Sequence, residues 1–128
     1  MTETDVYAAI GEEGFARLIH AFYRQIPGDE ILGPMYPKDD LPGAEERLRD
    51  FLIGRFGGPM RYVEQRGHPR LRMRHAPFPI DVNGRNRWMQ LMSRALVEAE
   101  LPEEAAEILF QYFMQTASSM VNRTHLES

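Results

Sequence analysis

Cysteine is absent from the chain. Its absence excludes disulfides, zinc sites built on thiolates, iron–sulfur clusters and a cysteine nucleophile. It also excludes thioether attachment of a haem, which requires a C-x-x-C-H sequence. Any metal that the chain binds must therefore be held by nitrogen, oxygen or thioether ligands.

Long apolar runs and an excess of positive charge are missing as well. No stretch approaches the ~20 apolar residues of a membrane span, and the acidic start Met1–Asp5 is not followed by the apolar region of a signal peptide. Fifteen basic and nineteen acidic residues give a net charge of −4 with histidine neutral. This balance does not favour nucleic-acid binding. We therefore expect a cytoplasmic protein with no membrane or nucleic-acid partner.

The length and composition are those of one globular unit. The chain has 128 residues, of which 43% are hydrophobic and 27% charged. A chain of this size buries roughly two thirds of its extended surface, which is enough for one core. Because no repeat, low-complexity tract or long linker interrupts it, we expect a single domain over residues 1–128.

Apolar periodicity predicts four long helices and no strand. Between residues 12 and 26, for example, apolar side chains recur three and four positions apart and form one helical face. Glycine and proline punctuate the pattern, and Asp81 has the character of an N-cap. The predicted helices are Glu12–Ile26, Gly43–Phe56, Val82–Ala99 and Pro102–Val121. We expect an all-α fold of two antiparallel pairs, because Gly57-Gly58-Pro59 and Glu100-Leu101-Pro102 are tight breaks.

The segment between the second and third of these helices has poor periodicity, and at most a short helix fits over Leu71–Ala76. Residues 65–77 carry four arginines, two histidines and no acid. Three interpretations stay open at this point: a solvated basic loop, a nucleic-acid contact, and a site for a small ligand with carboxylates or phosphates. The small ligand is favoured over nucleic acid because a few arginines suffice to neutralise it.

His75 lies in this basic segment, between the proline breaks at Pro69 and Pro77. A histidine near apolar residues is usually part of the core. His68 is followed by proline, which disfavours helix at that position, so His68 and His75 form a poor zinc pair. A site with one histidine suits haem iron, whose equatorial ligands come from the porphyrin.

Three amphipathic aromatic residues lie on otherwise apolar faces: Tyr23, Tyr36 and Trp88. Tyr23 occupies the middle of the inward stripe of the first helix, and a buried phenol needs a hydrogen-bond partner. Each residue taken alone is explained by a backbone hydrogen bond or a place in the core. Taken together, their polar groups could converge on a polar diatomic ligand.

These motifs resemble those of the truncated haemoglobins, the short two-over-two globins, and in particular those of group II. Phe22-Tyr23 matches the distal tyrosine motif, and YPKDDL at residues 36–41 matches the turn that places an aromatic ring over the haem. GAEERL at residues 43–48 resembles the start of the distal helix, and FGGP at residues 56–59 resembles the break after it. QRGHPRLRMRHAPF at residues 65–78 is close to the proximal signature, and Trp88 stands where group II proteins carry a marker tryptophan. The resemblance covers nearly the whole chain.

The resemblance implies a truncated-globin two-over-two helical sandwich around a non-covalently bound haem b. It makes His75 the iron ligand and places the three amphipathic aromatic residues around the sixth coordination position. Ala44 occupies the distal position where many globins have histidine. Further implied cofactor contacts are Arg47, Leu48 and Tyr62, with Arg72 and Arg74 as additional candidates for the propionates.

Two functions of different class follow from the resemblance. One is a protein that reversibly binds oxygen or other diatomic ligands. The other is a redox enzyme that oxidises nitric oxide or consumes peroxide, with a separate reductase because the sequence shows no flavin or nicotinamide domain. A third interpretation is a helical interaction module without haem, which leaves the grouping of His75, Tyr23 and Trp88 unexplained. We expect a monomer or a homodimer.

Overall fold

The computed structural model describes residues 1–75 and 80–122, with Arg72 and Arg74 described by their backbone alone. Within these ranges the chain forms helices and no strands, which confirms the predicted all-α class. Two short 3-10 helices cover Glu3–Asp5 and Gly33–Met35. The α-helices are α1 (Val6–Tyr23), α2 (Leu41–Arg55), α3 (Arg61–Arg66), α4 (Leu71–His75), α5 (Val82–Glu98) and α6 (Glu103–Ser119).

Helix α1 begins and ends earlier than the predicted range Glu12–Ile26. At Gly11 the backbone has φ 67° and ψ −178°, so α1 consists of two helical pieces joined at this glycine. The predicted start coincides with the second piece, whereas the first piece is too short for periodicity to reveal. Ile26 follows the end of the helix and is nevertheless buried, as its place in the apolar stripe predicts.

Helix α2 starts two residues before the predicted Gly43. Pro42 lies in its first turn, where a missing N–H costs nothing because that donor has no partner within the helix. The break after α2 depends on Gly57, which has φ 100°. A Cβ at this position would lie 2.1 Å from the carbonyl oxygen of Thr4. The glycine therefore lets the chain pass against the N-terminal segment.

Helix α3 was not predicted, because six residues hold less than two turns and give no periodic pattern. It ends at Gly67, whose φ of 77° lies in the left-handed region that favours glycine. The predicted helix over Leu71–Ala76 is present as α4 up to His75, and Ala76 lies outside the described residues.

Helices α5 and α6 lie close to their predicted bounds. The Asp81 carboxylate accepts a hydrogen bond from the backbone N–H of Gly84 at 2.8 Å, which confirms Asp81 as the N-cap of α5. Pro102 is the N-cap of α6 and not its first helical residue, because its ψ of 139° is extended. Ala105 on α6 is fully buried.

The packing places α1 against α2 and α5, and α5 against α6. The inward stripe of α1 is buried throughout, at Phe15, Leu18, Ile19, Phe22 and Tyr23. Ala44, Leu48 and Phe51 on α2 are only half-buried, because they line a cavity. None of the helices in the described ranges is long and apolar enough to cross a bilayer.

Candidate functional site

A cavity of about 460 Å³ opens between the helices, and its lining is mostly apolar. This volume falls within the ~300–1,000 Å³ of small-molecule and cofactor sites. The structure brings together every predicted site residue whose side chain it describes: Tyr23, Tyr36, Ala44, Arg47, Leu48, Tyr62, His75 and Trp88 all line this cavity. The side chains of Arg72 and Arg74 lie outside the described part of the chain.

His75 reaches the cavity from the last residue of α4. Its Nδ1 lies 2.7 Å from the carbonyl oxygen of Leu71, one turn earlier in the same helix. A carbonyl can only accept, so in the neutral imidazole Nδ1 carries the proton and Nε2 keeps a free lone pair. The imidazole is thus held in the tautomer that can coordinate a metal through Nε2, and it is exposed to solvent.

Asn122 fixes the backbone around this histidine. Its Nδ2 donates to the carbonyl of His75 at 3.4 Å, and its Oδ1 accepts from the N–H of Ile80 at 2.9 Å. Its own N–H donates to the carbonyl of Ile80 at 2.8 Å. Asn122, which follows α6, therefore bonds to the backbone of both His75 and Ile80, the residues on either side of residues 76–79. No pattern in the sequence indicates this role.

The indole N–H of Trp88 is already used within the protein. It donates to the hydroxyl oxygen of Tyr36 at 3.2 Å. Tyr36 accepts this bond and keeps its own O–H proton available as a donor. Trp88 is one of the three aromatic residues predicted to surround a ligand. Its N–H does not point at a ligand directly, because it donates to Tyr36.

The two tyrosine hydroxyls stay protonated in the interior. Burial raises the pKa of Tyr36 to about 12, and the hydrogen bond from Trp88 lowers it in part. Burial also raises the pKa of Tyr23, with a smaller effect of Tyr36 in the same direction and an opposing one from Arg47. The rings of Tyr23 and Tyr36 meet edge to face, with centroids 5.6 Å apart. Two neutral phenols therefore face one cavity side by side.

Cationic and aromatic side chains from α2 and α3 form another part of the wall. Arg47 Nη1 lies 3.2 Å from a carboxylate oxygen of Asp40, which precedes α2. The ring of Tyr62 packs edge to face on Phe51 with centroids 5.6 Å apart, and Tyr62 is buried. Both residues were predicted as contacts to a carboxylated cofactor, and the structure gives both a place at the cavity.

Arg85 is a cavity residue that the sequence patterns did not indicate. Its Nη1 donates to the Ser118 hydroxyl at 2.9 Å and lies 3.8 Å from the sulfur of Met114. Its Nε is buried without a hydrogen-bond partner, and no described carboxylate lies within ion-pair distance of the guanidinium. The sequence feature that could have identified Arg85 is its position three residues before Trp88, which places both residues on the same face of α5.

These features fit a haem. The cavity supplies one imidazole with a free Nε2, an apolar aromatic lining, and arginines that can neutralise two propionates. The Nε of Arg85 is a buried donor in the cavity wall that has no hydrogen-bond partner among the described residues, so it is available to a bound group. A metal held by protein ligands alone does not fit, because no group of three or more acidic, histidine or cysteine side chains with suitable geometry occurs among the residues described.

Comparisons with known proteins agree with this site. The family model described as "Bacterial-like globin" matches residues 5–122. The group 2 truncated hemoglobin YjbI of Bacillus subtilis (strain 168) is 39% identical over 121 residues, covering 94% of this chain and 91% of that protein. A thermostable haemoglobin of Thermobifida fusca is similar in structure, with TM-score 0.88 and 47% identity over 95% of this chain and 98% of that one. A truncated oxygen-avid haemoglobin of Bacillus subtilis has TM-score 0.87 and 38% identity, with 91% and 98% covered. The chain therefore belongs to the bacterial-like globins, as a truncated haemoglobin of group II.

Proposed function

We propose that the chain holds a haem b without a covalent bond, through Nε2 of His75, and reversibly binds oxygen and other diatomic ligands. When bound, the haem would supply an iron that can bind such ligands reversibly. The observation that carries the proposal is the hydrogen bond from His75 Nδ1 to the Leu71 carbonyl, because it leaves Nε2 free beside an apolar cavity.

Several side chains would hold the cofactor in place. Arg47 and Tyr62 line the cavity and can contact the propionates through charge and hydrogen bonding. Arg72 and Arg74 stay candidates for the same role from their place in the sequence beside His75. Ala44 and Leu48 provide small and apolar contacts on α2. Most of the binding free energy would come from burying the apolar porphyrin surface.

On the ligand side of the haem, Tyr23 and Tyr36 would donate hydrogen bonds to a diatomic ligand, and Trp88 would orient Tyr36. Bound dioxygen carries partial negative charge, and a hydrogen bond to a charged group contributes about 1.5–3 kcal/mol. That corresponds to a dissociation rate roughly 10–150-fold slower. The relative from Bacillus subtilis described as oxygen-avid supports this expectation.

A haem titration of His75→Gly tests the proposal. Purified wild-type protein should take up one equivalent of hemin and show a Soret band. His75→Gly should lose this uptake or bind far more weakly, and added imidazole should restore it by entering the space that the side chain leaves. His68→Gly is the matched control, because His68 lies in the same segment and does not line the cavity. A wild-type protein that stays colourless, or a His75→Gly variant with unchanged hemin affinity, would overturn the proposal.

A second candidate function is oxidation of nitric oxide or reduction of peroxide at the same haem. The observation that favours it is the pair of neutral phenol donors at the cavity, since strong donors slow ligand release and so disfavour simple delivery. Measuring the oxygen dissociation rate beside the turnover with nitric oxide and with peroxide separates the two candidates. Fast release without turnover supports a carrier, whereas slow release with turnover supports an enzyme.

A further inference from the structure

The segment that runs from the end of α3 through α4 to His75 presents a surface whose exposed residues include Arg66, His68, Arg70 and Met73. We call this surface the proximal face. We propose that the proximal face docks an acidic protein that delivers single electrons to the haem. The inference rests on the proposed function, because it requires a haem held by His75.

Positive charge is concentrated in the segment that carries the proximal face, and the rest of the chain is acidic. Residues 65–80 contain four arginines and no acidic residue. The rest of the chain has eleven basic and nineteen acidic residues, so it carries an excess of eight negative charges. An acidic partner is therefore attracted to this segment and repelled by the rest of the protein, which selects one docking orientation.

Among the residues that the structure describes, the arginines of the proximal face have no ion-pair partner, unlike several other arginines. Arg55 pairs with Glu3 at 3.1 Å, and Arg61 pairs with Glu12 at 2.8 Å. Within residues 1–75 and 80–122, neither Arg66 nor Arg70 has an ion pair or a ring contact. Their charges are therefore available to a partner without breaking an existing interaction.

The backbone holds Arg70 in a defined place. Its N–H donates to Nδ1 of His68 at 3.2 Å, and its φ of 48° lies in the left-handed region. Met73 lies three residues further along and is 65% exposed. Weak electron-transfer complexes bury small interfaces, and arginine and methionine are enriched in protein interfaces.

The location suits the transfer of an electron. The same segment carries His75, which is exposed to solvent and also lines the cavity. A partner on the proximal face would thus contact the segment that carries the proposed iron ligand. In the step proposed, one electron leaves the partner's reduced flavin or iron–sulfur cluster and converts the ferric haem to the ferrous form, so the partner is oxidised by one electron and no proton is required.

Stopped-flow reduction of the ferric haem protein tests the inference. The electron donor is a reduced plant-type [2Fe–2S] ferredoxin, used as an acidic one-electron probe, and carbon monoxide traps the ferrous product. The rate for wild-type protein should fall steeply as salt rises. Arg70→Glu and Arg66→Glu should each slow the reaction at low salt by about tenfold or more and approach the wild-type rate at high salt.

Arg94→Glu is the matched control, since Arg94 is exposed on α5 and has no ion pair among the described residues. It should leave the rate within about twofold of wild type. Photoreduced deazaflavin, a small neutral reductant, should reduce all variants equally, which shows that each haem site is intact. Equal slowing by all three substitutions, or none by Arg66→Glu and Arg70→Glu, would overturn the inference.

Two further measurements distinguish a protein partner from nucleic acid or lipid, and a failed docking site from a missing haem. Binding of duplex DNA or phosphatidylserine vesicles at physiological salt, if abolished by Arg70→Glu while ferredoxin reduction is unaffected, would overturn the inference and assign the face to that partner. If the protein takes up no hemin, the proposed function has failed, and the Soret titration shows this before any ferredoxin is added. A protein that binds hemin normally but shows no salt-dependent reduction defeats the docking inference alone.

Discussion

The hydroxyl of Tyr36 is the polar group at which two parts of the chain meet. It accepts from Trp88, 52 residues later, and it keeps a proton for a ligand. The tryptophan donor polarises the tyrosine O–H and should make it a better donor. The sequence could place both residues on apolar faces but could not show that one is bonded to the other, because nothing local determines a contact over that separation.

Substitutions at these residues should therefore affect oxygen release unequally. We expect Tyr36→Phe to raise the oxygen dissociation rate roughly 10–150-fold, the range of a lost charge-assisted hydrogen bond. Trp88→Phe should raise it less, because it removes only the group that orients and polarises Tyr36. Stopped-flow displacement of oxygen by carbon monoxide measures both. An effect of Trp88→Phe larger than that of Tyr36→Phe would show that the indole contacts the ligand directly.

The pKa of Tyr36 also predicts how stability changes at alkaline pH. Burial raises this pKa from its ordinary value of 10.0 to about 12, so between these values the folded state keeps a proton that the unfolded state loses. The free energy of unfolding should therefore be independent of this group below pH 10 and fall as the pH rises through the interval. Denaturant unfolding between pH 9 and 11.5 should show a shallower fall for Tyr36→Phe than for wild type. Identical slopes would contradict the assigned pKa.

At the scale of the helices, the four long elements follow from the sequence, whereas among the short ones only α4 was predicted. The four long helices have apolar stripes and breaks that fix them to within a few residues, apart from the first piece of α1. Helix α3 and the contacts of Asn122 depend instead on tertiary surroundings: Arg61 pairs with Glu12 on α1, and Asn122 bonds to chain on both sides of residues 76–79. Such contacts leave no periodic signal in the sequence.

The break after α2 offers a test at this scale. Gly57→Ala should destabilise the protein by at least about 2 kcal/mol, because it adds left-handed strain to a steric clash with the Thr4 carbonyl. Gly28→Ala is the matched control, since a Cβ there meets nothing within 4 Å. It should be neutral or slightly stabilising. The measurement is the free energy of unfolding in urea, and similar values for the two variants would contradict the described path of the N-terminal segment.

At the scale of the whole molecule, the helices surround a cavity at a place where a protein of this size would otherwise have packed side chains of the hydrophobic core. The apolar faces of α2 and α5 look onto the cavity, and several of their side chains are only half-buried. The sequence predicts these faces correctly but cannot distinguish a side chain packed on protein from one packed on a cofactor, because both need the same apolar pattern.

Removing the haem should consequently lower stability. A ligand that binds only the folded state adds about 4 kcal/mol at a concentration 1,000 times its dissociation constant. We expect calorimetry to show a Tm for the haem-free protein well below that of the loaded protein, with a smaller difference for His75→Gly. Equal Tm values for loaded and haem-free wild type would indicate that the helical shell is complete without a cofactor.

The guanidinium of Arg85 has an electrical consequence for such a cofactor. It lies in the cavity wall with a buried, unpaired Nε and no described carboxylate at ion-pair distance. A fixed positive charge disfavours the ferric state of nearby iron relative to the ferrous state. The effect is stronger in the protein interior, where the dielectric constant is low. Arg85→Met should therefore lower the midpoint reduction potential of the haem, measured by spectroelectrochemical titration. Arg85→Lys should largely preserve this potential. In this way one side chain would keep the metal in the state that can take up gas.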